Sequence, residues 1–215
     1  MTQLQSLPLF PLGAVLFPGG NLPLRIFEVR YLDMIGKCHK AGAPFGVVSL
    51  TSGAEVQRPA SNEANAFASE SFHSVGTLAT ISEYSTPQPG LMVIQCTGTQ
   101  RFRIERHERL SHGLWVADVT RISDDMHSAI PEDLQRVAVA LDKVIVSLKS
   151  RGVPEAQLPF HPPHHLDDCA WVANRWCELL PLPPAQKQQL MALENPLVRL
   201  ELVSDVLLKA GILKD

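Results

Sequence analysis

The stretch Leu7–Tyr31, LPLFPLGAVLFPGGNLPLRIFEVRY, constrains the fold of this chain more than any other. It is apolar almost throughout, yet Pro8, Pro11, Pro18 and Pro23 interrupt it. Each proline removes a backbone donor and fixes φ, so no continuous helix can run here. Proline also bars a central strand, which leaves edge strands and tight turns. Phe17-Pro18-Gly19-Gly20 has the composition of a turn, with proline at its second position and glycine supplying positive φ at its third. After it, Leu22, Leu24 and Ile26 alternate with Pro23, Arg25 and Phe27 at the period of a strand. So many leucines and phenylalanines on an interrupted backbone need a rigid sheet to lie against.

Glu28–Lys40 reads as a helix, with Leu32, Ile35 and His39 at three- and four-residue spacing and Gly42 as its stop. Phe45–Leu50 is a short buried strand. Thr51–Phe72 is rich in Ser, Ala, Asn and Glu without a steady period, and reads as a long, partly mobile loop. Strand alternation resumes over His73–Ser85 and continues, after the turn Pro87-Gln88-Pro89-Gly90, over Leu91–Leu110, with a bulge or bend expected at Gly98. Leu114–Ile122 alternates again. Several strands in series with one early helix point to a mixed, barrel-like sheet.

From Pro131 the period becomes helical. Leu134, Val137, Ala138, Leu141, Ile145 and Leu148 form one apolar face. A proline-rich connector, Val153–His165, leads to a helix opened by Asp167 and Asp168 and carrying Val172, Trp176 and Leu179. Pro184 opens the next, Asn195-Pro196 ends it, and the last carries Leu200, Val203 and Leu207 towards a Gly211 cap. The expected division is a β-rich part over 1–125 and a helical bundle over 130–215.

The N-terminal half resembles the substrate-binding domain of the Lon protease family, in the short stand-alone form that lacks the rest of the protease. The resemblance rests on Leu7-Pro8-Leu9-Phe10-Pro11-Leu12, Phe17-Pro18-Gly19, Leu22-Pro23-Leu24, Ile26-Phe27-Glu28 and Arg30-Tyr31. It extends to Gly76-Thr77-Leu78-Ala79 and to Gly98 with Arg101-Phe102-Arg103-Ile104. The helical half agrees in pattern only. Val29 departs from it, since small relatives often have proline at the start of that helix. The resemblance implies an α+β fold, a PUA-like β pseudo-barrel followed by a helical bundle. It also implies polypeptide as the ligand, with ATPase and peptidase parts in regions this chain lacks, so no catalytic residue is carried over.

Other function classes find little support. At −3, the formal charge lacks the basic excess of nucleic-acid binders. No apolar run approaches the roughly 18 residues of a membrane span, and no basic segment precedes an apolar signal core, so a cytoplasmic protein is expected. There is no phosphate loop, no G-x-S-x-G elbow and no H-E-x-x-H. Cys38, Cys96, Cys169 and Cys177 form no C-x-x-C pair and read as buried thiols. His161, His164 and His165, followed by Asp167, Asp168 and Cys169, are the nearest approach to a metal cluster, but their spacing fits no closed zinc motif. No metal and no cofactor is expected. Arg101, Arg103, Arg106 and Arg109 form a basic stripe interleaved with Glu105 and Glu108, which reads as a solvated strand face.

The expected function is therefore non-catalytic binding of unfolded or partner polypeptide at an apolar surface. Leu12, Val15, Leu16, Phe17, Pro18 and Leu22 are the candidate contact residues, because a turn normally lies at the surface and cannot bury them all. The rival is a small-molecule or RNA-binding regulator on a PUA-like barrel. An enclosed pocket with converging charges would favour the rival, and a shallow apolar groove would favour polypeptide.

Overall fold

Pro8 and Pro11 of the opening stretch lie inside one strand and Pro23 inside another, while Pro18 stands in a turn. The computed structural model describes residues 2–53, 70–152 and 162–213. The chain divides into two compact units, Met1–Asp124 and Asp125–Asp215. In the first, the strands are β1 (Gln3–Leu12), β2 (Asn21–Ile26), β3 (Phe45–Ser52), β4 (Ser71–Phe72), β5 (Val75–Gln88), β6 (Leu91–Arg109) and β7 (Trp115–Arg121). Helix α1 (Val29–Ala41) stands between β2 and β3.

Strand β1 corrects the expectation of an edge. It pairs antiparallel with β7 through Gln3–Leu9 and parallel with β3 through Leu9–Leu12. The two partners use different lengths of the strand. Pro8 stands opposite Val116 and Pro11 opposite Val48, so each can turn its missing N–H to a side with no strand. The order β1-β7-β6-β5-β3, with β3 returning to β1, closes the sheet on itself, while β4 adds to β3 and β2 to β6. Closure leaves no open edge among those five strands.

Phe102 fills the barrel interior and is fully buried. Its ring lies so close to Gly46 and Gly76 that a Cβ there would fall 2.8 and 2.6 Å from it. The bulge expected near Gly98 is present. The β5–β6 register slips by one between Thr77↔Arg101 and Ala79↔Gly98. The slip breaks the alternation, so Arg101 is buried beside Phe102 instead of facing solvent with the rest of its stripe.

Helix α1 ends as read. Gly42 adopts φ 62°, and its N–H and that of Ala43 cap the carbonyls of His39 and Cys38. The loop expected over Thr51–Phe72 is ordered at both ends. Thr51 and Ser52 finish β3, and Ser71–Phe72 forms β4 against it. Residues 54–69 lie outside the described residues, as do 153–161 of the proline-rich connector, His161 among them.

The second unit contains a 3-10 turn (Glu132–Leu134) and helices α2 (Gln135–Ser150), α3 (Cys169–Leu179), α4 (Pro184–Ala192) and α5 (Pro196–Lys209). Asp168 caps α3 by accepting from the N–H of Trp171, and Asn195 caps α5 by accepting from Leu197 and Val198. The predicted seam is formed by Val137, Leu141, Trp176, Leu200, Val203 and Leu207, all buried. Arg199 is buried within it. Its Nη1 donates to Asp125 Oδ2 (2.7 Å) and Asn174 Oδ1 (3.0 Å), its Nε to the carbonyl of Leu190 (3.0 Å), and its Nη2 to the carbonyl of Leu193. Among the described residues, no helix is long and apolar enough to cross a membrane.

Leu200 has no exposed surface at the centre of the seam. Leu200→Ala should lower stability by about 2–5 kcal/mol in a denaturant melt. A loss below ~0.5 kcal/mol, the range of ordinary surface changes, would show that α5 does not pack through this face.

Candidate functional site

The turn at Phe17–Gly20 forms as its residues imply. Gly19 adopts φ 74°, and the N–H of Gly20 donates to the carbonyl of Phe17 at 2.9 Å. It does not, however, project from the barrel. The N–H of Gly19 donates to the carbonyl of Gly98, and the N–H of Gly98 to the carbonyl of Gly20, both at 2.8 Å. The Thr77 hydroxyl donates to the carbonyl of Leu16 at 2.6 Å. A Cβ on Gly98 would fall 2.3 Å from the Phe17 carbonyl oxygen and 3.0 Å from Leu16 Cγ.

The expected exposure is corrected accordingly. Leu12, Leu16 and Phe17 are buried, because the chain reverses against β6 rather than out into water. Leu12 and Leu16 join a core cluster with Phe10, Tyr31, Ile35 and Ile94. Val15, Pro18 and Leu22 are half-buried, and Leu22 packs on the edge of that cluster.

Apolar surface emerges one strand later. Leu22, Leu24 and Ile26 turn inward from β2, which leaves Phe27 on the opposite side, 54% exposed. Val29, the first residue of α1, is 80% exposed. Leu32 lies three residues on, beside Val29 on the helix surface. From Leu32 a groove of about 410 Å³ runs along the tip of the β5–β6 hairpin, past Pro87, Pro89, Leu91 and Met92. The register pairs Ile26 with Met92, so Phe27 leaves β2 at the end of the hairpin. Leu32, Leu91 and Met92 give the groove apolar walls, and the exposed Phe27 and Val29 precede Leu32 in the chain. No ionisable side chain lines the groove.

The start of α1 is held by charge. Arg30 donates from Nη1 to the carbonyl of Gly113 (2.9 Å), from Nη2 to Glu70 Oε1 (3.3 Å) and from Nε to Glu28 Oε2 (3.2 Å). Glu70 Oε2 accepts from the indole N–H of Trp115 at 2.8 Å. The guanidinium also lies over the Tyr31 ring, which stacks on Phe10 at 4.1 Å. Burial pushes the Tyr31 phenol above its usual range. The exposed Val29 therefore sits on a rigid helix end.

All four cysteines are buried free thiols, and burial pushes Cys96 and Cys177 up to about 12, far from the thiolate form at neutral pH. Among the described residues, no group of three His, Cys, Asp or Glu side chains is placed to hold a metal ion. In the arginine stripe, Arg101 is buried, Arg106 pairs with Asp118 at 2.8 Å, and Arg109 lies over the Trp115 ring. That is a poor track for a phosphate backbone.

A profile of the family described as the ATP-dependent protease La (LON) substrate-binding domain matches residues 6–209 of the chain. Among solved structures, the chain is similar to the crystal structure of a Lon N-terminal domain protein from Xanthomonas campestris. Identity is 29% and the TM-score 0.72, covering 95% of this chain and 98% of that one. The fold is also that of the N-terminal domain of Mycobacterium avium complex Lon protease, at 17% identity and a TM-score of 0.56, covering 94% of this chain and 97% of that one. No curated protein matches the chain.

The seating of the turn can be tested at Gly98. Gly98→Ala places a methyl group against a backbone carbonyl that cannot swing away, and should cost about 1–3 kcal/mol or more in a denaturant melt. An unchanged midpoint would mean that the turn stands clear of β6.

Proposed function

This chain belongs to the LON substrate-binding domain family, and from that premise we propose that it is a non-catalytic receptor for unfolded or partner polypeptide. Membership supports a substrate-binding role in general, and the matched family is the binding domain, not the ATPase or the peptidase. The contact surface in this proposal is formed by Phe27, Val29 and Leu32 with the groove that Leu32 lines.

One observation carries the reading. Two large apolar side chains, Phe27 and Val29, stand exposed at the entry to α1, and Leu32, one helical turn on, lines a groove without ionisable side chains. Exposed residues of this kind are ordinary when scattered, but contiguous with an open groove they mark an interaction surface. An unfolded chain presents apolar side chains, and an open groove accepts them without selecting a sequence. The affinity should be modest, since a small apolar contact must offset the lost freedom of a disordered ligand. A charged small molecule finds no partner in such a groove, and the arginine stripe is already occupied.

Phe27→Ser together with Val29→Ser tests the proposal. Both are surface changes and should leave the melting curve within about 0.5 kcal/mol of wild type. Binding of a labelled, permanently unfolded test protein, followed by anisotropy, should weaken at least about tenfold, or ~1.4 kcal/mol. Unchanged binding by a folded double variant would sink the proposal.

A further inference from the structure

Strand β2 stands off the closed path of the sheet. It pairs with β6 and, among the described residues, with no other strand. Its neighbours fix the direction of its backbone groups. In an antiparallel pair every second residue turns both its N–H and its C=O to the partner, and the residues between turn theirs away. The carbonyls of Val93, Gln95 and Thr97 accept from the hydroxyls of Ser85, Ser82 and Thr80, so these residues of β6 face β5. Met92, Ile94 and Cys96 are left to face β2, where the register sets them opposite Ile26, Leu24 and Leu22. The Gly98 N–H, donated to the Gly20 carbonyl, is in the same phase, and Pro23, with no N–H to give, falls in the other. Pro23 and Arg25 therefore direct their backbone groups away from β6. Pro23 offers a carbonyl there, and Arg25 an N–H and a carbonyl. Both side chains are exposed, whereas Leu22 and Leu24, on the opposite face, are half-buried.

We propose that this edge of β2 takes up an extended segment of the polypeptide ligand as an added antiparallel strand, with an acidic residue opposite Arg25 and an apolar residue on either side of it. The assignment rests on the reading of the chain as a polypeptide receptor and adds how the ligand's backbone is held. A residue opposite Arg25 exchanges two backbone hydrogen bonds with it. Its side chain falls on the same face as the guanidinium, with the two Cβ atoms about 5 Å apart, so a carboxylate there completes an opposite-charge pair. Its two neighbours turn to the other face, beside Leu24, which calls for apolar side chains. Two positions along, the ligand can donate an N–H to the Pro23 carbonyl but finds no N–H in return. Pro23 thereby limits the added strand to a few residues, sets its register, and keeps the edge from pairing at length with other sheets. Phe27 and Val29 follow β2 directly in the chain, so a ligand longer than the edge reaches the contact surface proposed above.

Anisotropy titrations with a labelled peptide carrying Leu-Glu-Leu between neutral flanks test the proposal. N-methylation of the glutamate amide removes the N–H aimed at Arg25 and should weaken binding about tenfold or more. N-methylation of the leucine after it, whose N–H points away from β2, should leave binding unchanged. Arg25→Pro removes the outward N–H and keeps every bond to β6, so the protein should melt near wild type and lose about tenfold or more in affinity. Arg25→Glu should reverse the charge preference, weakening the glutamate peptide and strengthening one with lysine in its place. The proposal is overturned by no binding of the parent peptide, by equal effects of the two methylations, or by unchanged affinity in a folded Arg25→Pro protein. If Arg25→Pro does not fold, the two methylated peptides decide on the wild-type protein. The unfolded test protein separates the two readings: if it binds while the parent peptide does not, the edge fails and the receptor stands.

Discussion

A turn and a strand approach each other so closely at Gly98 that no side chain fits between them. Two backbone hydrogen bonds tie Gly19 and Gly20 to Gly98, and the Thr77 hydroxyl holds the carbonyl of Leu16. This contact determines what the opening stretch does. It sends Leu16 and Phe17 into the core, sets β2 alongside the first half of β6, and delivers Phe27 to the hairpin tip. The candidate contact residues are exposed because the turn before them is buried. Apolar side chains that the turn has absorbed are unavailable to a ligand, and those that follow one strand later have no core left to enter.

Closure of the barrel follows from how β1 shares itself. A strand with two prolines cannot bond continuously on both sides. Here β7 takes its first part and β3 its last, and the handover falls at Leu9. The bulge between Leu4 and Leu7, with Ser6 at φ 51°, bends the strand before it reaches β3. The prolines thus mark where the strand changes partner. On the other side, Arg30 gathers Glu28, Glu70 and the Gly113 carbonyl around one buried guanidinium. Removing one partner of such a group leaves uncompensated charge in the interior, so the start of α1 is firmly placed.

The helical unit uses the same device. Arg199 takes up carbonyls left open at the end of α4 and joins them to Asn174 on α3 and to Asp125. Buried cations satisfied on all sides select one arrangement of the helices over near alternatives with similar apolar contact.

By itself, the sequence determined most of the elements and their order, though β4 lies in a stretch read as a loop. The type of the Phe17–Gly20 turn, the helix stop at Gly42, the slip near Gly98, the Asp168 start of α3, the break at Asn195-Pro196 and the seam through Leu200 all follow from short-range rules of φ, hydrogen bonding and period. It also placed Phe27 on the outward side of an alternating strand, although the expected contact residues lay in the turn before it. Tertiary structure alone decided which apolar residues are buried. Whether Phe17 faces water depends on a glycine eighty-one positions away in β6, and whether Pro8 can sit in a strand depends on where β7 stops and β3 begins. Arg101 was expected on a solvated strand face, and Glu70 falls in the stretch read as a loop, yet both are buried. Their burial is set by a register slip and by an arginine forty residues distant. Period and propensity are local quantities, and burial is a property of what arrives from elsewhere in the chain.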